Sequence, residues 1–89
     1  MDAKTIELKL IAPEETLYDG PAVSVSLPGS VCPFEVLPDH APIVSTLVKG
    51  TVSWVTADGT CSSVPVLSGV VMVEDNKVDV CVEKSNEAL

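Results

Sequence analysis

His40 is the only histidine in this chain of 89 residues and the only side chain whose ordinary pKa lies near neutrality. General-base chemistry would therefore have to start there. Asp39 precedes it, but two sequence neighbours do not make a triad, and neither a G-x-S-x-G elbow nor a Cys–His–Asn arrangement is present. A hydrogen-bonded or interface histidine is the plainer role. Cys32, Cys61 and Cys81 are odd in number and widely spaced, which suits reduced thiols better than a disulfide framework. With His40 they would complete a Cys3His zinc set, yet no C-x-x-C pair anchors one. The carboxylate pairs Glu14-Glu15 and Glu74-Asp75 could attract a hard cation, but each falls at a turn, where solvated carboxylates are ordinary. Gly29 and Gly69 belong to neither phosphate-cradling glycine motif. The residues therefore predict no catalytic side chain, no cofactor and no bound metal.

His40 lies in a stretch from Gly29 to Pro42 that also holds Pro33, Pro38 and Pro42 of the seven prolines, and the one phenylalanine, Phe34. Each proline fixes its own φ and biases its predecessor toward extended backbone, so the stretch should present a rigid surface. An aromatic ring beside a proline at a strand edge suits a partner as well as a core. Trp54 and Tyr18 are too few for a base-stacking or sugar-binding platform and are expected to fill the core.

The whole-chain numbers narrow the function. A chain this short supports one domain, and a water-excluding active site is hard to build in it, which favours a binding or structural module. Thirteen acidic residues against five lysines and no arginine give a net charge of −8, which repels nucleic acid and anionic lipid and removes the best bidentate phosphate ligand. The 46% apolar content excludes intrinsic disorder, and no apolar run nears the roughly 20 residues of a spanning helix. Met1 to Thr5 carry no signal-peptide pattern, so a cytoplasmic setting is expected.

The elements that must position the Gly29–Pro42 stretch read as sheet. Sixteen valines and six threonines favour strand over helix. Ile6, Leu8 and Leu10 alternate with Glu7 and Lys9; Val23, Val25 and Leu27 alternate with Ser24 and Ser26. Turns are expected at Asp19-Gly20-Pro21, at Lys49-Gly50, as a two-residue Asp58-Gly59 hairpin, and at Asp75-Asn76. The run from Ile43 to Val48 is apolar enough for the core. Separate strands are expected at Cys61–Leu67 and Gly69–Glu74, and Val78, Val80 and Val82 should face inward. The tail from Lys84 to Leu89 reads as a frayed end. The expected fold is all-β: an antiparallel β-sandwich of about eight to ten short strands in two sheets.

The run Pro33-Phe34-Glu35-Val36-Leu37-Pro38-Asp39-His40-Ala41-Pro42 closely resembles the F-G-x-L-P-x-H-A-P signature of the ATP synthase epsilon subunit family, the homologue of the mitochondrial delta subunit. The opening from Leu8 to Gly20 resembles that family's first strand and its P-E-x-x-L-Y-x-G turn. Val25-Ser26-Leu27-Pro28-Gly29, Leu47-Val48-Lys49-Gly50, Leu67-Ser68-Gly69 and Asn76-Lys77-Val78 follow in the family's order, so the likeness spans residues 5 to 83. Glu35 and Val70 stand where the family usually has glycine, which can alter local loop shape.

The resemblance implies a single epsilon-type β-sandwich over residues 1–89, a short form without the C-terminal helical hairpin of longer members. It implies a non-catalytic rotor component of the central stalk, one copy per complex, docking the gamma subunit onto the c-ring loops without inserting into lipid. The implied location is peripheral, on the cytoplasmic face of a bacterial inner membrane. By position in the motif, Cys32, Pro33, Phe34 and Glu35 should face the c-ring, and His40, Ala41 and Pro42 should face gamma. Two readings stand beside it: a stand-alone β-sandwich adaptor, and a small metalloenzyme built on Cys32, Cys61, Cys81 and His40.

Overall fold

The valine-rich alternation resolves into eight strands in the computed structural model, which describes residues 4–84. The expected frayed tail falls, after Lys84, outside the described residues. The strands are β1 (Ile6–Ala12), β2 (Glu15–Ala22), β3 (Ser24–Leu27), β4 (Phe34–Val36), β5 (Ile43–Leu47), β6 (Gly50–Val55), β7 (Cys61–Glu74) and β8 (Lys77–Lys84). They form one hydrogen-bonded path, β2-β1-β8-β7-β6-β3-β4, with β5 added to β7.

This path folds over itself because β7 serves both layers. Its first half, Cys61 to Val66, pairs with β6, while its second half, Gly69 to Glu74, lies between β5 and β8. A register shift between Val66 and Ser68 marks the change of layer. Leu67-Ser68-Gly69 thus bends one long strand where two separate strands were expected, since a bulge adds twist without ending the ladder. Inward residues from both layers, among them Leu8, Leu10, Val25, Val36, Val52, Val66, Val71 and Val80, share a single core. The alternation of Ile6, Leu8 and Leu10, and of Val78, Val80 and Val82, is buried as predicted.

Six of the seven pairings are antiparallel; β1 and β8 run parallel, with Leu8 opposite Val78 and Leu10 opposite Val80. Local turn signals report hairpin-linked pairs, which must be antiparallel, and carry no information about a seam between strands far apart in sequence.

Other expectations shift for similar local reasons. Asp19-Gly20-Pro21 does not turn the chain: β2 runs through to Ala22, with Pro21 opposite Glu7. That proline is tolerated because β2 is the edge of the path and pairs only with β1. The chain changes layer at Val23, whose amide bonds to the Val55 carbonyl at 2.7 Å, and Ser24, expected on the wet face, is buried. The β6–β7 hairpin has a longer loop than the Asp58-Gly59 pair suggested. The Gly59 amide bonds to Thr56 O and the Thr56 amide to Thr60 O, which leaves Ala57, Asp58 and Gly59 as the loop, with Gly59 at φ 88°. Asp58 favours this form because its carboxylate accepts from the Thr56 hydroxyl and from the Thr60 amide.

Trp54 is buried and stacks at a tilt on half-buried Tyr18, with ring centroids 5.3 Å apart. Its indole N–H is buried and has no hydrogen-bond acceptor among the described residues. The Tyr18 hydroxyl donates to Pro21 O at 2.6 Å. Both rings therefore fill the core, as expected.

Candidate functional site

The Gly29–Pro42 stretch spans the edges of both layers, and its two sets of candidate residues occupy opposite ends of β5. Near the end of β5, Leu47 bridges to Gly29 and the Ser30 amide bonds to Thr46 O at 3.0 Å. Near its start, Ile43 pairs with Val73, two positions from the β7–β8 turn. Five strand residues separate the ends by roughly 15 Å.

At the Leu47 end, Cys32, Pro33 and Glu35 are exposed and Phe34 is half-buried against the core. Phe34 opens β4 opposite Leu27, and Glu35 lies opposite Ser26. Gly29 makes this fold of the loop possible. A Cβ there would come within 2.5 Å of the Cys32 carbonyl oxygen and 2.8 Å of the Phe34 ring. Val31, at the loop tip, is 95% exposed. A shallow groove of about 470 Å³ between Leu27, Pro28, Pro33, Phe34 and Thr51 continues the apolar surface. Such a loop offers shape and apolar contact, with one carboxylate beside it.

At the other end, Leu37 to His40 form a turn closed by the His40 amide donating to Leu37 O at 3.1 Å. Pro38 takes the second position and Asp39, at φ 69°, the third, the type II pattern usually filled there by glycine or asparagine. Asp39 compensates with bonds. Lys4 Nζ donates to Asp39 Oδ2 at 2.6 Å, Asn76 Nδ2 donates to Asp39 Oδ1 at 3.2 Å, and the Asp39 amide donates to Asn76 Oδ1 at 2.6 Å. The bond from Lys4, then that from Asn76, hold the Asp39 carboxyl below the usual carboxylate range. His40 is half-buried with Nδ1 2.7 Å from Ala41 O, while Ala41 and Pro42 are exposed.

Beyond Pro42 the sequence reading needs correction. The run from Ile43 to Val48 does not enter the core as a whole: Leu47 is buried, but Val44 is 72% exposed and Val48 is also open to solvent. Of the described strands β5 pairs with β7 alone, apart from the Leu47–Gly29 bridge, and the outer face of this pair is open to solvent. Val44 sits opposite Met72, and Thr46 opposite Val70; Met72 and Val70 are 49% and 41% exposed. Cys81 lies next to Val70 on the same outer face. An apolar stripe thus continues directly from Pro42 across two strands, with Glu74 and Asp79 on its rim. Apolar content alone could not separate this stripe from core. The alternation of Val70 and Met72 with buried Val71 and Val73 was the available signal.

The residues of the metalloenzyme reading are not brought together. Cys32 lies in the β3–β4 loop, Cys61 at the start of β7, Cys81 on the outer face of β8 and His40 between β4 and β5, and all three thiols are free and exposed. Among the described residues no three His, Cys, Asp or Glu side chains converge as metal ligands would. Among the described residues no helix is long and apolar enough to cross a membrane.

The family model for the ATP synthase delta/epsilon chain β-sandwich domain matches residues 5–88. An ATP synthase epsilon chain from Campylobacter fetus is 42% identical over 79 residues, covering 89% of this chain and 61% of the relative. One from Synechococcus elongatus is 38% identical over 78 residues, covering 88% and 56%. The chain therefore spans 61% or less of the length of these two curated relatives. Among solved structures, a chain of the Euglena gracilis mitochondrial ATP synthase, resolved with OSCP, F1 and c-ring, superposes with a TM-score of 0.83 at 21% identity, over 92% of this chain and 52% of that one. A chain of the Tetrahymena thermophila central stalk and c-ring gives 0.74 at 13%, over 94% and 67%. At those identities the likeness is one of fold.

Proposed function

This chain belongs to the ATP synthase delta/epsilon chain family through its β-sandwich domain, and from that membership we propose that it is a non-catalytic rotor subunit of the central stalk of an F-type ATP synthase. In this role it docks the gamma subunit onto the c-ring and couples ion-driven rotation to ATP synthesis. The observation that carries the reading is the family match over residues 5–88, which takes in both ends of the Gly29–Pro42 stretch.

The geometry supports a division of labour. The loop carrying Cys32, Pro33, Phe34 and Glu35, with Val31 at its tip, meets the c-ring loops. His40, Ala41 and Pro42, extended by Val44, Val70 and Met72, meet gamma. An exposed carboxylate such as Glu35 contributes only about 0 to 1 kcal/mol to a surface ion pair, so apolar contact and shape supply most of the hold. One shared core and a strand common to both layers suit a body that carries load, because an interior packed like an organic crystal deforms little. In this role the chain lies peripherally, on the cytoplasmic face of a bacterial inner membrane.

Native co-purification tests this. The tagged chain should bring down the gamma subunit and, with the membrane fraction, the c-ring. Recovery without any ATP synthase subunit would replace this reading with that of a stand-alone β-sandwich adaptor.

A further inference from the structure

We propose that Asn76, at the tip of the β7–β8 hairpin, is a positioning residue that fixes the His40–Ala41–Pro42 segment in its docking placement before any partner arrives. The inference rests on the reading of that segment as a gamma contact and assigns a role to a residue outside it.

Asp39 and Asn76 lie 37 positions apart, and both adopt left-handed backbone, at φ 69° and 61°. They grip each other twice: the Asp39 amide donates to Asn76 Oδ1 at 2.6 Å and Asn76 Nδ2 donates to Asp39 Oδ1 at 3.2 Å. Each turn has a local closure of its own. The Leu37–His40 turn is closed by its own backbone bond. The Asp75-Asn76 hairpin, with φ values of 51° and 61°, has the two-residue form that suits twisted strands and is framed by the Glu74–Lys77 pair. The clasp therefore adds no secondary structure; it sets where one turn sits relative to the other.

Its anchor is firm. Asn76 O accepts from the Glu7 amide of β1 at 2.8 Å, which ties the hairpin tip to the parallel seam. His40, Ala41 and Pro42 are then a three-residue strap between two fixed points, the clasp at Asp39 and the ladder pair Ile43–Val73. The His40 Nδ1–Ala41 O contact lies within it. A strap held in this way loses little conformational freedom on binding, which is the basis of affinity gained by preorganisation.

Asn76→Gly tests this without breaking the hairpin, since glycine accepts the same positive φ. In the isolated chain, hydrogen exchange at the Asp39 amide should accelerate at least about tenfold as its acceptor disappears, while the thermal midpoint stays nearly unchanged. Affinity for the purified cognate gamma subunit should fall roughly two- to tenfold. Asn76→Asp should weaken binding further by placing two carboxylates together. The double variant Asp39→Asn with Asn76→Asp exchanges donor and acceptor side chains across the clasp at the expense of the Lys4–Asp39 ion pair, and should regain most of the affinity that Asn76→Asp loses. Unchanged Asp39 exchange in Asn76→Gly would show that no clasp forms in solution. Faster exchange with unchanged gamma affinity would show a clasp that positions nothing. Either result overturns the inference while leaving the rotor reading intact. Failure of the wild-type chain to bind gamma would overturn the rotor reading, and the inference with it.

Discussion

Replacing Val44 isolates the sheet-face contact. The residue is 72% exposed and faces Met72 across the β5–β7 pair, in line with Pro42. Fully burying a valine is worth about 1.5 to 2 kcal/mol, so covering the exposed portion on docking recovers about 1 kcal/mol. Val44→Ala keeps part of that and should weaken gamma binding roughly threefold, since about 1.4 kcal/mol corresponds to tenfold. Val44→Asp loses the contact and shuts an unpaired carboxylate into the interface, at a further cost of about 3 kcal/mol or more. The two terms together predict a loss of at least about 100-fold. The folded chain should tolerate both changes. An exposed strand position spans only about 1 kcal/mol between valine and a polar residue, a shift of no more than about 4 to 8 °C in thermal midpoint. Calorimetric titration against gamma at 25 °C, with Trp54 fluorescence to follow unfolding, separates the two quantities. Val44→Asp binding gamma within about threefold of wild type would refute the placement of gamma on this face.

Two other perturbations probe different links. Gly29→Ala forces a Cβ against the Cys32 carbonyl and the Phe34 ring, so the loop must reopen; such overpacking costs about 1 to 3 kcal/mol, and the thermal midpoint should fall by several degrees together with retention on c-ring-bearing membranes, whereas an unchanged midpoint would contradict the close packing. Asp58 is held below the usual carboxylate range first by the Thr56 hydroxyl and then by Thr60. Because its folded pKa lies below its unfolded one, its contribution is present above about pH 4 and disappears as pH falls through the depressed value. Asp58→Ala should therefore have a lower midpoint at pH 7 and a shallower decline on acidification, as read by thermal melts from pH 7 down to 2; identical slopes would refute the assignment.

How far the sequence carried depended on how local each signal was. Period-two alternation placed the inward residues of β1 and β8, because those strands are solvated on one side and buried on the other. Asp75-Asn76 was legible as a turn for the same reason: both residues accept positive φ. Leu67-Ser68-Gly69 misled, since a bulge and a strand break use the same small residues. Gly20 and Pro21 misled because a proline at an edge leaves no ladder bond unmade. The outward face of β5 was hidden in Ile43–Val48, where polarity does not alternate cleanly and exposure is decided by what packs over the sheet face rather than by the strand's own residues. The Asp39–Asn76 clasp joins two turns that are each readable, but their proximity is a property of the fold.

The parallel seam has a consequence for the newborn chain. β1 can zip to β2 as soon as the residues up to Ala22 have emerged, but its other edge finds β8 only when residues 77 to 81 have been made. Until then Ile6, Leu8 and Leu10 lie on a strand with one open edge, the kind of intermediate that pairs with foreign strands. Lys9 and Glu7, alternating with them, put charge on that edge throughout the wait. Closing the seam joins the first and last of the eight strands, so it should be the slowest step in assembling the sheet. It also brings the Asn76 carbonyl onto Glu7, so closure of the seam and readiness of the docking strap are a single event.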